Sequence, residues 1–185
     1  MMNKKKGKII FILGGVKSGK TLYVINQAKK IGSSVTYLAT AIAGDKEMKA
    51  KIEEHKKMRP KNWGTIEEPL DLLDRIRCLI GTSRRGRKIN KKVIIIDCIN
   101  FWLSNLLASG MDKKKILEKT SALCSLLREK KMHSFVISNE VGLSLVPPNR
   151  AGRQFQDLLG KINQVIANYS DEIYFLVAGI PLKLK

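Results

Sequence analysis

The 185-residue sequence predicts an α/β fold: one domain over residues 1–185, with a mostly parallel central sheet and helices on both faces. Three observations predict it. Short apolar runs rich in β-branched residues alternate with stretches of helical period. The first run leads straight into a glycine-rich turn and then a helix. A later run, VIIID, ends on an acidic residue at the edge where open α/β sheets bind ligands.

Each element follows from its residues. Lys8–Leu13 (KIIFIL) is a buried strand because it is apolar without alternation. Gly14–Gly19 is the turn, and Lys20–Ile31 is a helix with Leu22, Ile25 and Ala28 at helical spacing. Ser34–Ala39 (SVTYLA) is a second strand. Asp45–Lys57 is a polar, lysine-rich helix, capped by Asp45, with Met48 and Ile52 one turn apart and Pro60 limiting its extent. Thr65–Glu67 is short and extended before Pro69, Leu70–Ile80 is helical, and Gly81–Lys92 is a basic loop of Ser, Gly and Arg. Val93–Asp97 is a buried strand. Phe101–Ala108 and Lys114–Lys131 are helices parted by Gly110. Ser134–Ser138 is a buried strand, Asn139–Pro148 a loop, and Arg150–Tyr169 a long helix. Glu172–Ala178 is the last long strand, and Leu182–Leu184 a short extended tail. Strands alternating with helices imply right-handed crossovers between parallel strands.

Composition narrows the function classes. With 44% hydrophobic and 28% charged residues, the chain has a globular balance, which excludes wholesale disorder. No apolar run reaches membrane-spanning length, and Met1–Lys8 has four lysines but no apolar stretch or cleavage site of a signal peptide. A cytoplasmic protein without a membrane span is expected. Cys78, Cys98 and Cys124 form no CxxC pair and read as buried reduced thiols. The net charge of +19 raises the question of nucleic acid, but its lysines and arginines are scattered and no recognition motif organises them. Nucleic acid is therefore not the expected partner; general attraction of anionic substrates is the plainer reading.

The strongest motif is Gly14, Gly15, Val16, Lys17, Ser18, Gly19, Lys20 and Thr21, which fits G-x-x-x-x-G-K-[ST] between a strand and a helix. Glycines serve where phosphate crowds the backbone and where φ must be positive. The turn's N–H groups and the helix N-terminus supply positive potential, Lys20 neutralises β- and γ-phosphates, and Thr21 offers a hydroxyl to Mg²⁺. Asp97 is the second candidate metal residue, set at the end of a buried strand; capping of the helix that follows is the alternative role. The chain thus reads as a P-loop NTPase of RecA-like arrangement, binding a purine triphosphate.

Only two histidines are present. His133 precedes a strand and reads as a solvated surface residue. His55 stands among lysines in EMKAKIEEHKKMRP, where it could bind phosphate, act as a nucleophile, or simply be an exposed helix residue.

At this point the sequence resembles the bifunctional adenosylcobinamide kinase/adenosylcobinamide-phosphate guanylyltransferase family of cobalamin assembly. The likeness runs through GGVKSGKT (Gly14–Thr21), YLATA (Tyr37–Ala41), the EMxxKIxxHxxxRPxxW pattern (Glu47–Trp63), TIEEP (Thr65–Pro69), DCINFWLSNLL (Asp97–Leu107), SNEVGLSLVPPNRAGRQFQDLLGKINQ (Ser138–Gln164) and VAGIPLKLK (Val177–Lys185). It implies phosphorylation of the aminopropanol hydroxyl of adenosylcobinamide by ATP or GTP. It then implies transfer of GMP from GTP, through a GMP-histidine at His55, to adenosylcobinamide phosphate. The nucleotide contacts it implies are the P-loop, then Ala39, Thr40 and Ala41, then Lys56, Lys57, Met58 and Arg59, then Glu67 and Asp97, with Mg²⁺ at Thr21 and Asp97.

Further expectations follow. Lysines near His55 would disfavour imidazolium and preserve its lone pair. Arg59 would grip a phosphate as a fork. Glu67 either reads guanine N1–H and its exocyclic amine or organises the metal or a loop. Glu140 could orient the cobinamide hydroxyl or the metal. Arg150 and Arg153 could meet phosphate or a neighbouring subunit, and Pro147–Pro148 stiffens a loop that closes on substrate or on another chain. The family implies homo-oligomers, trimers favoured, so part of the apolar surface around Trp102 is expected at an interface. The competing readings are a monofunctional P-loop small-molecule kinase and a basic nucleotide-sensing or nucleic-acid-binding module.

Overall fold

The computed structural model describes residues 7–31, 34–81, 92–129 and 132–185. The basic loop expected between Gly81 and Lys92 lies almost wholly outside them, as does the end of the helix expected to reach Lys131. Seven strands form one sheet in the order β3-β2-β4-β5-β1-β6-β7. They are β1 (Ile9–Gly14), β2 (Ser34–Ala39), β3 (Gly64–Glu67), β4 (Lys92–Asp97), β5 (His133–Ile137), β6 (Glu172–Val177) and β7 (Ile180–Lys183). All neighbouring pairs are parallel except β6 with β7.

Residues of β1 alternate between two cores. Ile9, Phe11 and Leu13 join a core made with α3 (Leu72–Gly81), α4 (Ile99–Ala108), α5 (Lys113–Glu129) and α6 (Arg150–Tyr169). Ile10 and Ile12 join the opposite core, where Val24, Ile25 and Ala28 of α1 (Lys20–Ile31) pack. Both faces are covered, which is why the inner strands read as unbroken apolar runs. Helix α2 (Lys46–Met58) differs from the rest. It has no buried residue, and Asp45 caps it by accepting from Met48 N at 2.7 Å.

Several expectations are corrected. The C-terminal tail is a full strand, Ile180–Lys183, turned back on β6 by Ala178 at φ 50° and Gly179 at φ 83°. Two positive φ values in succession twist a two-residue hairpin correctly. Trp102, Leu103 and Leu106 are fully buried, with Trp102 Nε1 donating to Leu70 O at 2.9 Å. These three are core, while Phe101 and Leu107 beside them are half-buried. His133 is the first residue of β5 and half-buried, not a solvated side chain. Cys98 and Cys124 are buried as expected, but Cys78 is exposed.

Candidate active site

Parallel pairing brings the predicted residues to one edge. Glu67 of β3 lies level with Ala39 of β2, Ala39 with Asp97 of β4, and Asp97 with Ile137 of β5. One strand further, Gly14 ends β1 and opens the phosphate turn.

The turn is built by close packing. A Cβ on Gly14, at φ 151°, would meet Leu176 O and Ser18 Oγ at 2.6 Å each. Gly19, at φ 91°, faces Gly179 Cα at 3.1 Å from its would-be Cβ. Gly179 N donates to Ser18 O at 3.0 Å, so the β6–β7 turn buttresses the loop from behind. Ser18 and Lys20 are buried, while Gly15, Val16 and Lys17 are exposed. Lys20 Nζ donates to Gly14 O at 2.9 Å and to Gly15 O at 2.5 Å. Burial lowers the Lys20 pKa below the ordinary lysine value, and the nearby Asp97 charge opposes that shift.

Asp97 is the hub. Its Oδ2 accepts from Thr21 Oγ1 at 3.2 Å and, in a very short contact, from the Tyr37 hydroxyl. Burial, followed by the Asp97 charge, raises the Tyr37 pKa well above the ordinary phenol value, so Tyr37 is a neutral donor. Asp97 does not cap α4: the capping position is Cys98, with no side-chain bond. The Asp97–Cys98 peptide is cis, and Thr40 clamps it from behind. Its hydroxyl donates to Cys98 O at 2.7 Å and accepts from Cys98 N at 2.9 Å. Thr40 is fully buried and Ala39 nearly so, leaving Ala41 as the half-exposed residue of that turn.

His55 reaches this hub from α2. Its Nδ1 lies 3.9 Å from Asp97 Oδ2, beyond hydrogen-bond length, and the side chain is 43% exposed. The charge beside the imidazole is therefore a carboxylate, not the expected lysines. Lys56 is engaged with Glu67 at 2.8 Å and with Glu53 at 3.2 Å, and Lys51 with Glu47 at 2.5 Å. Lys57 and Met58 are exposed. Lys56 holds the Glu67 carboxyl below its ordinary pKa, first through their hydrogen bond and then through charge. Arg59 stacks on Tyr37, 3.9 Å from the ring centroid, while its buried Nε and Nη1 have no hydrogen-bond partner among the described residues. Such orphaned cationic donors suit an anionic ligand.

Tyr37 is the residue that sequence reasoning missed as a site member. It contacts both Asp97 and Arg59, and its signals were a place two positions before a strand end at the active edge and at the head of the YLATA segment. Thr21 and Asp97 offer a hydroxyl and a carboxylate in contact, a fit for Mg²⁺, which takes few protein oxygens and keeps water and phosphate as its other ligands.

Comparison with known proteins agrees with this architecture. The model of a family described as cobinamide kinase / cobinamide phosphate guanyltransferase matches residues 10–184. The bifunctional adenosylcobalamin biosynthesis protein CobP of Pseudomonas aeruginosa is 38% identical over 94% of this chain and 95% of its own. CobU of Escherichia coli, under the same description, is 30% identical over 96% and 99%. Among solved structures, a KaiC-like protein of the archaeon Pyrococcus horikoshii superposes with TM-score 0.54 at 14% identity, covering 92% of this chain and 71% of that one. That likeness shows a P-loop NTPase fold.

Proposed function

The chain belongs to the cobinamide kinase/cobinamide phosphate guanyltransferase family, and on that premise we propose that His55 is the nucleophile of its second reaction. The enzyme is an adenosylcobinamide kinase and adenosylcobinamide-phosphate guanylyltransferase of cobalamin biosynthesis. ATP or GTP supplies the phosphoryl group of the first reaction, and GTP supplies GMP in the second.

The observation that carries the proposal is the meeting of α2 with β4, where the imidazole and the Thr21–Asp97 pair face each other. With the Asp97 carboxylate on the Nδ1 side of the ring, Nε2 is the nitrogen whose lone pair is turned to the nucleotide in this reading. That lone pair attacks the α-phosphorus of GTP. A P–N bond forms, the bond from the α-phosphorus to its bridging oxygen breaks, and pyrophosphate leaves with the electron pair. Lys20, the loop amides and the unpartnered donors of Arg59 stabilise charge developing on the phosphates. A phosphate oxygen of the acceptor then attacks the same phosphorus, and His55 is released. Mg²⁺ held by Thr21 and Asp97 would neutralise phosphate charge and orient the leaving group.

Lys56, Lys57, Met58 and Ala41 form the rim around the nucleotide, and Glu67 reads the guanine edge or holds α2 in place through Lys56. We take the enzyme to act in the cytoplasm as a homo-oligomer, trimers favoured. The exposed apolar edge of β7, with Ile180 and Leu182, supports self-association.

The test is trapping. Protein incubated with α-labelled GTP and Mg²⁺, then denatured, is expected to carry acid-labile, alkali-stable label that His55→Ala lacks. Wild-type protein that phosphorylates adenosylcobinamide yet stays unlabelled would reduce the reading to a kinase alone.

A further inference from the structure

Glu140 borders a cavity beside the phosphate turn whose lining does not include His55. The loop leaving β5 is stitched to the phosphate turn, because Glu140 N donates to Gly14 O at 3.2 Å. Beside it opens a cavity of about 370 Å³ whose lining includes Gly15, Val16, Glu140, Leu143 and Phe175.

The carboxylate in this cavity is held in place. Gly142 N donates to Glu140 Oε1 at 2.7 Å. A Cβ on Gly142 would lie 2.9 Å from that same oxygen, so the approach suits glycine. The loop around it is anchored as well. Gln156 Nε2 and Ser144 Oγ both donate to Val141 O at 2.6 Å, and Asn163 Nδ2 donates to Asn139 O at 3.1 Å. One carboxylate oxygen is thus fixed by backbone, and Oε2 has no protein partner among the described residues.

Position gives the carboxylate its role. Lys20 rests on Gly14 O and Gly15 O. In P-loop enzymes this lysine serves the β- and γ-phosphates, so the γ end of the nucleotide lies on the Gly15 side, where the cavity opens. His55 lies on the other flank, against β4, whereas Phe175 of the cavity belongs to β6 beyond β1. The mouth is apolar and exposed: Val16 is 81% and Leu143 80% accessible, and the loop continues with exposed Leu145 and Val146.

We propose that this cavity seats the alcohol acceptor of the phosphoryl-transfer step and that Glu140 is its general base. Oε2 takes the hydroxyl proton as the hydroxyl oxygen attacks the γ-phosphorus. The new P–O bond forms, the bond from the γ-phosphorus to the β–γ bridging oxygen breaks, and the nucleoside diphosphate leaves with the electron pair. The acceptor class is an alcohol on a bulky carrier with an apolar face, matched to Val16 and Leu143. This proposal rests on the phosphate-turn reading above, and the two are separable because GMP labelling of His55 does not involve Glu140.

The experiment measures both half-reactions in the same protein, with adenosylcobinamide and ATP for one and α-labelled GTP for the other. Glu140→Gln is expected to lower the phosphoryl-transfer kcat by about 10²–10⁴-fold and to erase the ascending limb of its pH profile, with His55 still labelled. Leu143→Asp is expected to raise KM for adenosylcobinamide at least tenfold and leave KM for ATP alone. A Glu140→Gln kinase rate within threefold of wild type overturns the general base. Loss of both activities at an unchanged melting temperature overturns it too, as would an unmoved acceptor KM in Leu143→Asp for the cavity. A Lys20→Ala protein that kept full phosphoryl and guanylyl transfer would instead sink the phosphate-turn reading beneath it.

Discussion

In the phosphate turn, Ser18 and Lys20 are buried and Gly14 has no room for a side chain; in helix α2, which carries His55, no residue is buried. The two regions meet at Asp97 but are held by different forces. The turn is locked by backbone packing against Leu176 and Gly179, so its donors are in place before any ligand arrives. Helix α2 is fastened by the Lys56–Glu67 pair, the Arg59–Tyr37 stack and the approach of His55 to Asp97. Exposed ion pairs of this kind contribute about 0–1 kcal/mol each. Grip on the triphosphate is therefore a property of the core, while placement of the nucleophile is a property of a loosely held surface helix.

That contrast can be broken most decisively at Lys20. Lys20→Ala is expected to cut both phosphoryl and guanylyl transfer by about 10²–10³-fold, since one lysine serves both reactions. Steady-state assays of each half-reaction check this, and loss of only one would mean separate phosphate sites. Next comes stability. Gly14→Ala is expected to cost about 1–3 kcal/mol in urea unfolding, because its Cβ meets backbone that cannot move away. Glu54→Ala on α2 should stay within about 0.5 kcal/mol. A comparable loss at both positions would erase the distinction.

Smaller effects sharpen it. Amide exchange followed by mass spectrometry should find α2 exchanging much faster than α1, whose Val24, Ile25 and Ala28 are buried. Smallest is the pH response of the Lys56–Glu67 tie. The folded Glu67 pKa is depressed, so its contribution is complete above the ordinary carboxylate pKa and is lost as pH falls through the depressed value. Being exposed, the pair should change stability by under about 1 kcal/mol over that range, and Glu67→Gln should flatten the response. A thermal-unfolding series between neutral and acid pH reads it.

The sheet was legible because both its faces are covered, so β1, β4 and β5 show as unbroken apolar runs. The β6–β7 hairpin was not. Its turn uses Ala178 where asparagine or aspartate would signal positive φ, and every residue of β7 is exposed, so no burial pattern marks it. Helix α4 begins at Ile99, ahead of the predicted Phe101, because Cys98 at its cap carries no polar signal. In the site, the glycine turn and Asp97 could be read locally, since each is fixed by its own segment. The pairing of Asp97 with Tyr37 and its approach to His55 depend on strand order, which spacing along the chain does not encode.

The most direct measurement is a crystal structure with Mg²⁺ and a GTP analogue whose α–β bridge resists cleavage. His55 Nε2 is expected about 3–3.5 Å from the α-phosphorus, in line with the bridging atom, with Asp97 behind Nδ1. An imidazole turned to solvent while the triphosphate fills Gly14–Thr21 would contradict it.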